Sequence, residues 1–259
     1  MMAPILQVNK ITKHFRGLTA VADYSASIEP GTIHGLIGPN GAGKTTVFNM
    51  LSGETTPSSG SIYFKDKNIT GLRSDTIAGL GIARTFQNLR LFSTLSVLDN
   101  VIIGAQIHKS YGFFSMLASA PAIREGEKVL RREAMELLEV LEIADLADQM
   151  SGNLSYGAQR KLEIARALAT RPQILLLDEP AAGMNPSESQ ELMHTIRRVR
   201  DRFNLTVVLI EHDMKVVMNL CDQLQVLCYG SCIAEGSPEA VREDPQVIEA
   251  YLGRRATNA

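Results

Sequence analysis

Apolar and polar positions change their period along the chain, and the changes divide it into three stretches. Strand formers dominate from Ile5 to Phe15 and again from Ala20 to Ile28. A further strand signal, Ser61-Ile62-Tyr63-Phe64, follows a turn at Pro57-Ser58-Ser59-Gly60. Ile33-His34-Gly35-Leu36-Ile37 reads as a strand running into a glycine-rich loop, and Thr45 to Leu51 as a helix closed by Gly53. The first third is therefore expected to be rich in β structure. From Ser96 to about Asp148 the period becomes helical: Leu130, Ala134, Leu137, Leu138 and Leu141 share one face, and Pro121 is placed as a helix opener. This middle stretch reads as a helical insertion.

Beyond it, strand and helix alternate. The pattern predicts a helix from Ala158 to Ala169, a strand from Gln173 to Leu177, a helix after Pro186 and a strand from Thr206 to Ile210. Such alternation implies βαβ units and a parallel sheet, so that sequence-distant halves build one core. The third of these elements is specified in detail: Asn185 can cap, Pro186 suits the first helical position and Glu188 completes a capping box.

Composition narrows the class. With 259 residues and 45% hydrophobic content the chain can bury a full core as one large domain. A formal charge of −2 gives no excess of basic surface, so a nucleic-acid partner is not expected. Cys221, Cys228 and Cys232 lack the spacing of a zinc site or a disulfide framework and read as thiols in a reducing compartment. Met1 to Lys10 has no signal design, and no stretch approaches the roughly 18 apolar residues of a membrane span. A soluble, cytoplasmic chain is the expectation.

Three motifs carry chemistry. Gly38-Pro39-Asn40-Gly41-Ala42-Gly43-Lys44-Thr45-Thr46 fits the phosphate loop Gly-x-x-x-x-Gly-Lys-[Ser/Thr] and lies between a strand and a helix, where such a loop must lie. Its glycines let backbone N–H groups turn inward around phosphates, Lys44 can reach the β and γ oxygens, and the Thr45 hydroxyl can bind Mg²⁺. A nucleoside triphosphate is the expected ligand. Second, Ile174-Leu175-Leu176-Leu177-Asp178-Glu179-Pro180 is an apolar run ending in two acids, as when a buried parallel strand delivers carboxylates to a sheet edge. Asp178 would hold Mg²⁺, directly or through water, and Glu179 would orient the attacking water and take up its proton. Third, Leu154-Ser155-Tyr156-Gly157-Ala158-Gln159-Arg160-Lys161 opens a helix. The Ser155 hydroxyl and the N–H groups near Gly157 could form an anion site, but by themselves they read better as an ordinary capped helix start.

The order and spacing of these motifs, with Gln87 between the first two and His212 after the last, resemble the ATP-binding subunit of ABC transporters. Ala83 to Phe92, Leu154 to Leu168, Asp178 to Pro186 and the tail Asp244 to Gly253 look most like the ATPase subunit of branched-chain amino-acid importers, over nearly the whole chain from Gln7 to Gly253. The resemblance implies an α/β fold: a P-loop NTPase, RecA-like core with a mixed or parallel sheet, an N-terminal antiparallel β subdomain and an inserted α-helical subdomain. One ATPase domain over 5–253 would comprise a β-rich and phosphate-loop part (5–90), the helical subdomain (91–154), the rest of the core (155–235) and a C-terminal helical tail (236–259).

The same resemblance implies roles. Phe15 would stack on adenine, and Gln87 would sense Mg²⁺ and the lytic water. His212 would contact the γ-phosphate, while Ser155, Gly157 and Gln159 would serve nucleotide held by a second copy. Gly38, Asn40, Gly41, Ala42, Gly43, Lys44, Thr45 and Thr46 would cradle the phosphates. Implied cofactors are ATP and Mg²⁺. Implied partners are a second ATPase subunit, the same chain or a sister, integral-membrane permease subunits and, indirectly, a solute-binding protein, with the chain peripheral on the cytoplasmic side of the membrane. Two departures from the commonest family pattern stand out: Tyr156 and Ala158 replace Gly and Gln, and Asn185 replaces Asp.

Lipopolysaccharide-exporting and urea or amide-importing ATPases are near alternatives. A soluble ABC-type ATPase of DNA repair or the ribosome is disfavoured by the lack of a long coiled-coil insertion, of a second ATPase unit and of a basic surface. A kinase or GTPase would leave Ser155 to Gln159 and His212 without work. The aromatic stretch Leu91 to Leu117, with Phe92, Tyr111, Phe113, Phe114 and Met116, reads either as filling of the small subdomain or as a groove for a short permease helix.

Overall fold

Three wholly buried five-residue strands explain the centre of the molecule: β3 (Ile33–Ile37), β7 (Ile174–Asp178) and β8 (Thr206–Ile210). With no polar face to give to water, such strands must be covered on both sides, which a parallel sheet flanked by layers achieves. In the computed structural model, which describes residues 3–87, 89–106 and 120–252, they lie in a six-stranded sheet. Its order is β10-β9-β3-β8-β7-β6, where β6 is Ile82–Arg84, β9 is Gln223–Cys228 and β10 is Ser231–Gly236. All neighbours run parallel except β9 and β10, which form a hairpin.

A second, antiparallel sheet has the order β2-β1-β4-β5, formed by Leu18–Ile28, Leu6–Phe15, Ser59–Phe64 and Lys67–Asn68. Between the two sheets lies helix α1 (Lys44–Leu51), and one apolar cluster joins Leu6, Val8 and Ile62 of the small sheet to Phe48 of α1 and Leu176 and Val208 of the large one. The other face of the large sheet carries helices α3 (Val97–Ala105), α4 (Ala120–Val140), α5 (Tyr156–Leu168), α6 (Pro186–Phe203) and α7 (Met214–Leu220) over a second cluster. A short helix α2 (Ser74–Leu80) precedes β6, and α8 (Pro238–Glu243) and α9 (Pro245–Leu252) close the described chain.

The α/β architecture with one antiparallel and one mixed sheet is as expected. Helix α4 begins at Ala120, next to Pro121, and buries Leu130, Ala134 and Leu138 with Leu141 beyond its end. Asn185 and Glu188 form the capping box of α6: each side chain accepts from the other residue's backbone N–H, both at 3.0 Å. Strands β5, β6, β9 and β10 and helices α2 and α7 are not signalled by the pattern of the sequence. β6 has only three residues, too few to show a period, and β10 has no fully buried residue to mark a core face. Tyr111, Phe113, Phe114 and Met116 lie outside the described residues. Phe92 is described and is 47% exposed, with the Arg166 guanidinium 5.7 Å from its ring.

Candidate active site

The parallel order sends the C-terminal ends of β3, β6, β7, β8 and β9 to one edge of the sheet, and β3 has neighbours reached by crossovers on both sides. That is the position at which open α/β sheets bind ligands. The loop after β3 is shaped by close approach. A Cβ on Gly38, whose φ is +146°, would lie 2.0 Å from the Leu227 carbonyl oxygen, and one on Gly43, at φ +105°, would lie 2.4 Å from that of Ala20. No side chain caps α1, so its first N–H groups are left for an anion. Lys44 is only 6% exposed and donates to the carbonyls of Gly38 at 2.7 Å and Pro39 at 3.0 Å, which holds its ammonium across the hollow of the loop.

Asn40, Gly41, Ala42 and Gly43 line a cleft of about 640 Å³ together with Lys44, Thr45 and Thr46. Gln87, Glu179 and His212 line the same cleft, brought there from three different strands. The Gln87 amide donates to Glu179 Oε2 at 2.9 Å, and His212 Nδ1 lies 4.0 Å from Glu179 Oε1. Glu179 itself has φ +47°, an uncommon left-handed conformation for a residue with a side chain, of the kind that clusters at functional sites. A cradle of inward N–H groups, a buried ammonium and a cleft of this size fit the triphosphate of a nucleotide. The Thr45 hydroxyl, the Gln87 amide oxygen and nearby carboxylates are the hard oxygen donors that Mg²⁺ takes.

Other expected residues stand outside this cleft. Phe15 is 46% exposed and does not line it; Leu18, Thr19 and Tyr229 do, and Tyr229 at 86% exposure offers a bare aromatic face there. Asp178 is buried one residue before Glu179, with Oδ2 2.8 Å from Arg84. Arg84 also donates to Asn49 at 2.8 Å and Ser52 at 2.9 Å, tying β6 and β7 to α1.

Ser155 caps α5 by accepting from the Ala158 N–H, and Gln159 donates to the Leu154 carbonyl at 3.0 Å. Neither these two nor Gly157 lines the cleft. A Cβ on Gly157 would meet nothing within 4 Å, so nothing nearby among the described residues requires a glycine there. One turn further on, Arg160 is 3% exposed and donates to the carbonyls of Phe86 at 2.8 Å and Gln87 at 2.6 Å. It also pairs with Glu163 at 3.1 Å, whose other oxygen accepts from the Phe86 N–H at 3.2 Å. Burial pushes the Glu163 carboxyl above its ordinary pKa, against the pull of that N–H and of Arg160.

Tyr229, Arg84, Arg160 and Glu211 are the residues that sequence reasoning missed. For Glu211 a signal existed, since Ile210-Glu211-His212 repeats the pattern of an apolar strand ending in an acid.

A glycine-framed phosphate loop, with an amide, a carboxylate and an imidazole on the rim of its cleft, defines a P-loop nucleotide hydrolase. The chain matches the ABC transporter family over residues 21–182 and the branched-chain amino acid ATP-binding cassette transporter family over 231–257. It thus belongs to the ABC transporter family as an ATP-binding subunit, an ABC-type ATPase. It is 44% identical over 253 residues to the high-affinity branched-chain amino acid transport ATP-binding protein LivG of Escherichia coli, covering 98% of this chain and 99% of that one. The protein of the same description named BraF from Pseudomonas aeruginosa gives the same identity and coverage. Among solved structures, the ADP conformation of an ATP-binding cassette of an ABC transporter is similar at a TM-score of 0.84 and 31% identity, over 97% of this chain and 100% of that one. A nucleotide-free cassette is similar at 0.83 and 32%, over 96% and 98%. Among the described residues no helix is long and apolar enough to cross a membrane.

Proposed function

We propose that the chain powers a branched-chain amino-acid importer from the cytoplasmic side of the membrane, closing with a second ATPase subunit over two ATP molecules and passing that closure to permease subunits. A solute-binding protein would deliver cargo to the far side. The observation that carries the reading is the gathering of Gln87, Glu179 and His212 on the phosphate-loop cleft while Ser155 and Gly157 sit outside it, Ser155 exposed and Gly157 with open space where a Cβ would stand. A site that lacks the signature segment of its own chain is completed by that of another. The amino-acid specificity is supported by the full-length likeness to LivG and BraF and by the family match of the tail. Neither the charge of −2 nor any motif supports a nucleic-acid role.

In this reading Lys44 and the N–H groups of Gly38 and of Asn40 to Thr46 bind the phosphates. Thr45, Gln87 and Asp178 hold Mg²⁺, with Asp178 acting directly or through water from its place beside Arg84. When bound, Mg²⁺ neutralises phosphate charge and supplies Lewis acidity. Glu179 orients the attacking water and takes its proton, the Gln87 amide fixes the Glu179 carboxylate, and His212 donates to the γ-phosphate. Phe15 and Tyr229 offer aromatic surface to the base. Residues 91–154 form the subdomain that communicates with the permease, within one ATPase domain over 5–253.

The experiment is to delete the chain in its own host, measure uptake of labelled leucine, and purify the tagged chain from membranes with its partners. Uptake is expected to disappear, to return with the wild-type chain and to stay absent with Glu179→Gln, and permease chains should co-purify. Normal leucine uptake in the deletion, with loss of another solute's transport, would overturn the specificity. Absence of membrane partners would overturn the transporter role.

A further inference from the structure

We propose that Glu211 is a positioning residue for ATP hydrolysis, fixing the loop that follows Glu179 and the loop that carries His212 in one relation to each other. The proposal rests on the roles given to Glu179 and His212 above. Glu211 follows directly on β8, whose Ile210 pairs with Asp178 at the end of β7. Its two carboxylate oxygens divide between the two loops: Oε1 accepts from the Ala181 N–H at 3.1 Å and Oε2 from the His212 N–H at 3.2 Å.

The group is costly where it stands. It is 1% exposed, and the His212 imidazole has Nδ1 4.0 Å from Oε2. No lysine or arginine pairs with it among the described residues. A buried carboxylate held by two backbone N–H groups alone is more expensive than a neutral side chain closing the same strand. Burial accordingly raises its carboxyl pKa, against the two N–H donors. The chemistry of the bridge explains the choice of residue. It needs two acceptors on one side chain with no donor between them. Gln offers one acceptor, and Asp is a methylene too short to keep both bonds without moving a loop.

What the bridge holds is strained. Glu179 stands at φ +47°, its N–H donates to the Ile210 carbonyl at 3.0 Å, and its carbonyl accepts from the Ala182 N–H at 3.1 Å. The Ala181 bond to Glu211 therefore pins the far side of a turn whose near side is pinned by Ile210. A residue in such a conformation persists only when its surroundings over-determine it. His212 Nδ1 lies 4.0 Å from the Glu179 carboxylate as well as from Glu211, so the imidazole stands between the water-orienting acid and the acid that sets its backbone.

The test is steady-state ATP hydrolysis by the full chain as wild type, Glu211→Gln, Glu211→Asp and Glu179→Gln, with melting temperatures. Glu211→Gln is expected to lower kcat by about tenfold to a hundredfold, as loops carrying reacting groups drift by a fraction of an ångström. KM for ATP should stay within about threefold, because the phosphate loop is untouched. The melting temperature should change little, since removal of a buried charge offsets the loss of one acceptor. Should the Gln variant not fold, Glu211→Asp keeps the charge and is expected to show the same split of kcat from KM. A kcat within about twofold of wild type in the folded variants overturns the proposal. So does a fall in kcat that comes with a raised KM and a lower melting temperature, which marks a general structural role. Inactive Glu179→Gln beside normal Glu211→Gln removes this proposal alone, whereas Glu179→Gln at the wild-type rate removes the reading of Glu179 and the proposal together.

Discussion

The phosphate loop and the segment from Ser155 to Gly157 both present N–H groups at the start of a helix, yet their glycines are there for opposite reasons. Gly38 and Gly43 face inward: a Cβ on either would strike backbone carbonyls at 2.0 and 2.4 Å. Gly157 faces outward, and a Cβ there would touch nothing within 4 Å. The first kind of glycine is required by the chain's own packing. The second is unexplained by its neighbours among the described residues, as is Gly79 of α2, and its reason in the function proposed above is nucleotide held by a second copy.

The comparison can be broken most forcefully at Gly38. Gly38→Ala places a Cβ against a backbone oxygen at a strongly positive φ, and is expected to cost upwards of about 3 kcal/mol in denaturant unfolding or to prevent folding. A folded Gly38→Ala protein of wild-type stability would show that the loop is not held by Leu227 as described. Next in size is an effect on activity. Lys44→Ala and Ser155→Arg should each be nearly inactive, but mixing them should restore up to about a quarter of wild-type hydrolysis, since half of randomly formed pairs are mixed and each keeps one of two sites. Proven mixed pairs without recovery would count against sharing of the site between copies.

A smaller effect sharpens the inward side. His34 lies on β3, the strand that delivers the loop, buried with Nε2 3.3 Å from Gln225 Oε1, and burial holds its pKa below the ordinary 6.5. Unfolded His34 takes a proton as pH falls through about 6.5, while the folded one resists it. Its contribution to stability is therefore constant above that pH and is lost as pH falls below it. The raised carboxyls of Glu163 and Glu211 act with the opposite sign, so the measurement is the difference between wild type and His34→Asn, whose unfolding free energy should lose less between pH 7 and 5.5. Equal slopes would exclude His34 as the source. The smallest effect belongs to the outward glycine: Gly157→Ala should leave stability unchanged or raise it by about 0.5 kcal/mol, as alanine does in a helix. Hydrolysis should nevertheless fall sharply, and retention of full activity would remove the case for an arriving partner at that position.

What could be read from the sequence was what lies consecutively in it. Gly38 to Thr46 and Ile174 to Glu179 are unbroken runs, and their chemistry follows from spacing alone. The box of Asn185 and Glu188 is likewise local. Tyr229 reaches the cleft because β9 lies beside β3, although nearly two hundred residues separate them in the chain, and no local pattern encodes that adjacency. Arg84 and Arg160 were hidden for a related reason: a buried arginine looks like a surface one until its partners, Asp178 or the Gln87 carbonyl, are placed beside it. Phe15 was carried by resemblance, and the cleft lies closer to Leu18 and Tyr229.

Arg160 has one more consequence. Its guanidinium, itself buried, bolts the second turn of α5 to the backbone of Phe86 and Gln87. A pull on Ser155 that tilts α5 cannot be absorbed there without breaking the hydrogen bonds from this cation to the Phe86 and Gln87 carbonyls, a loss of about 1.5 to 3 kcal/mol for each. The helix and the Gln87 segment therefore behave as the two arms of a crank on a single stiff pin. The Gln87 amide is the tip of the second arm, resting on Glu179.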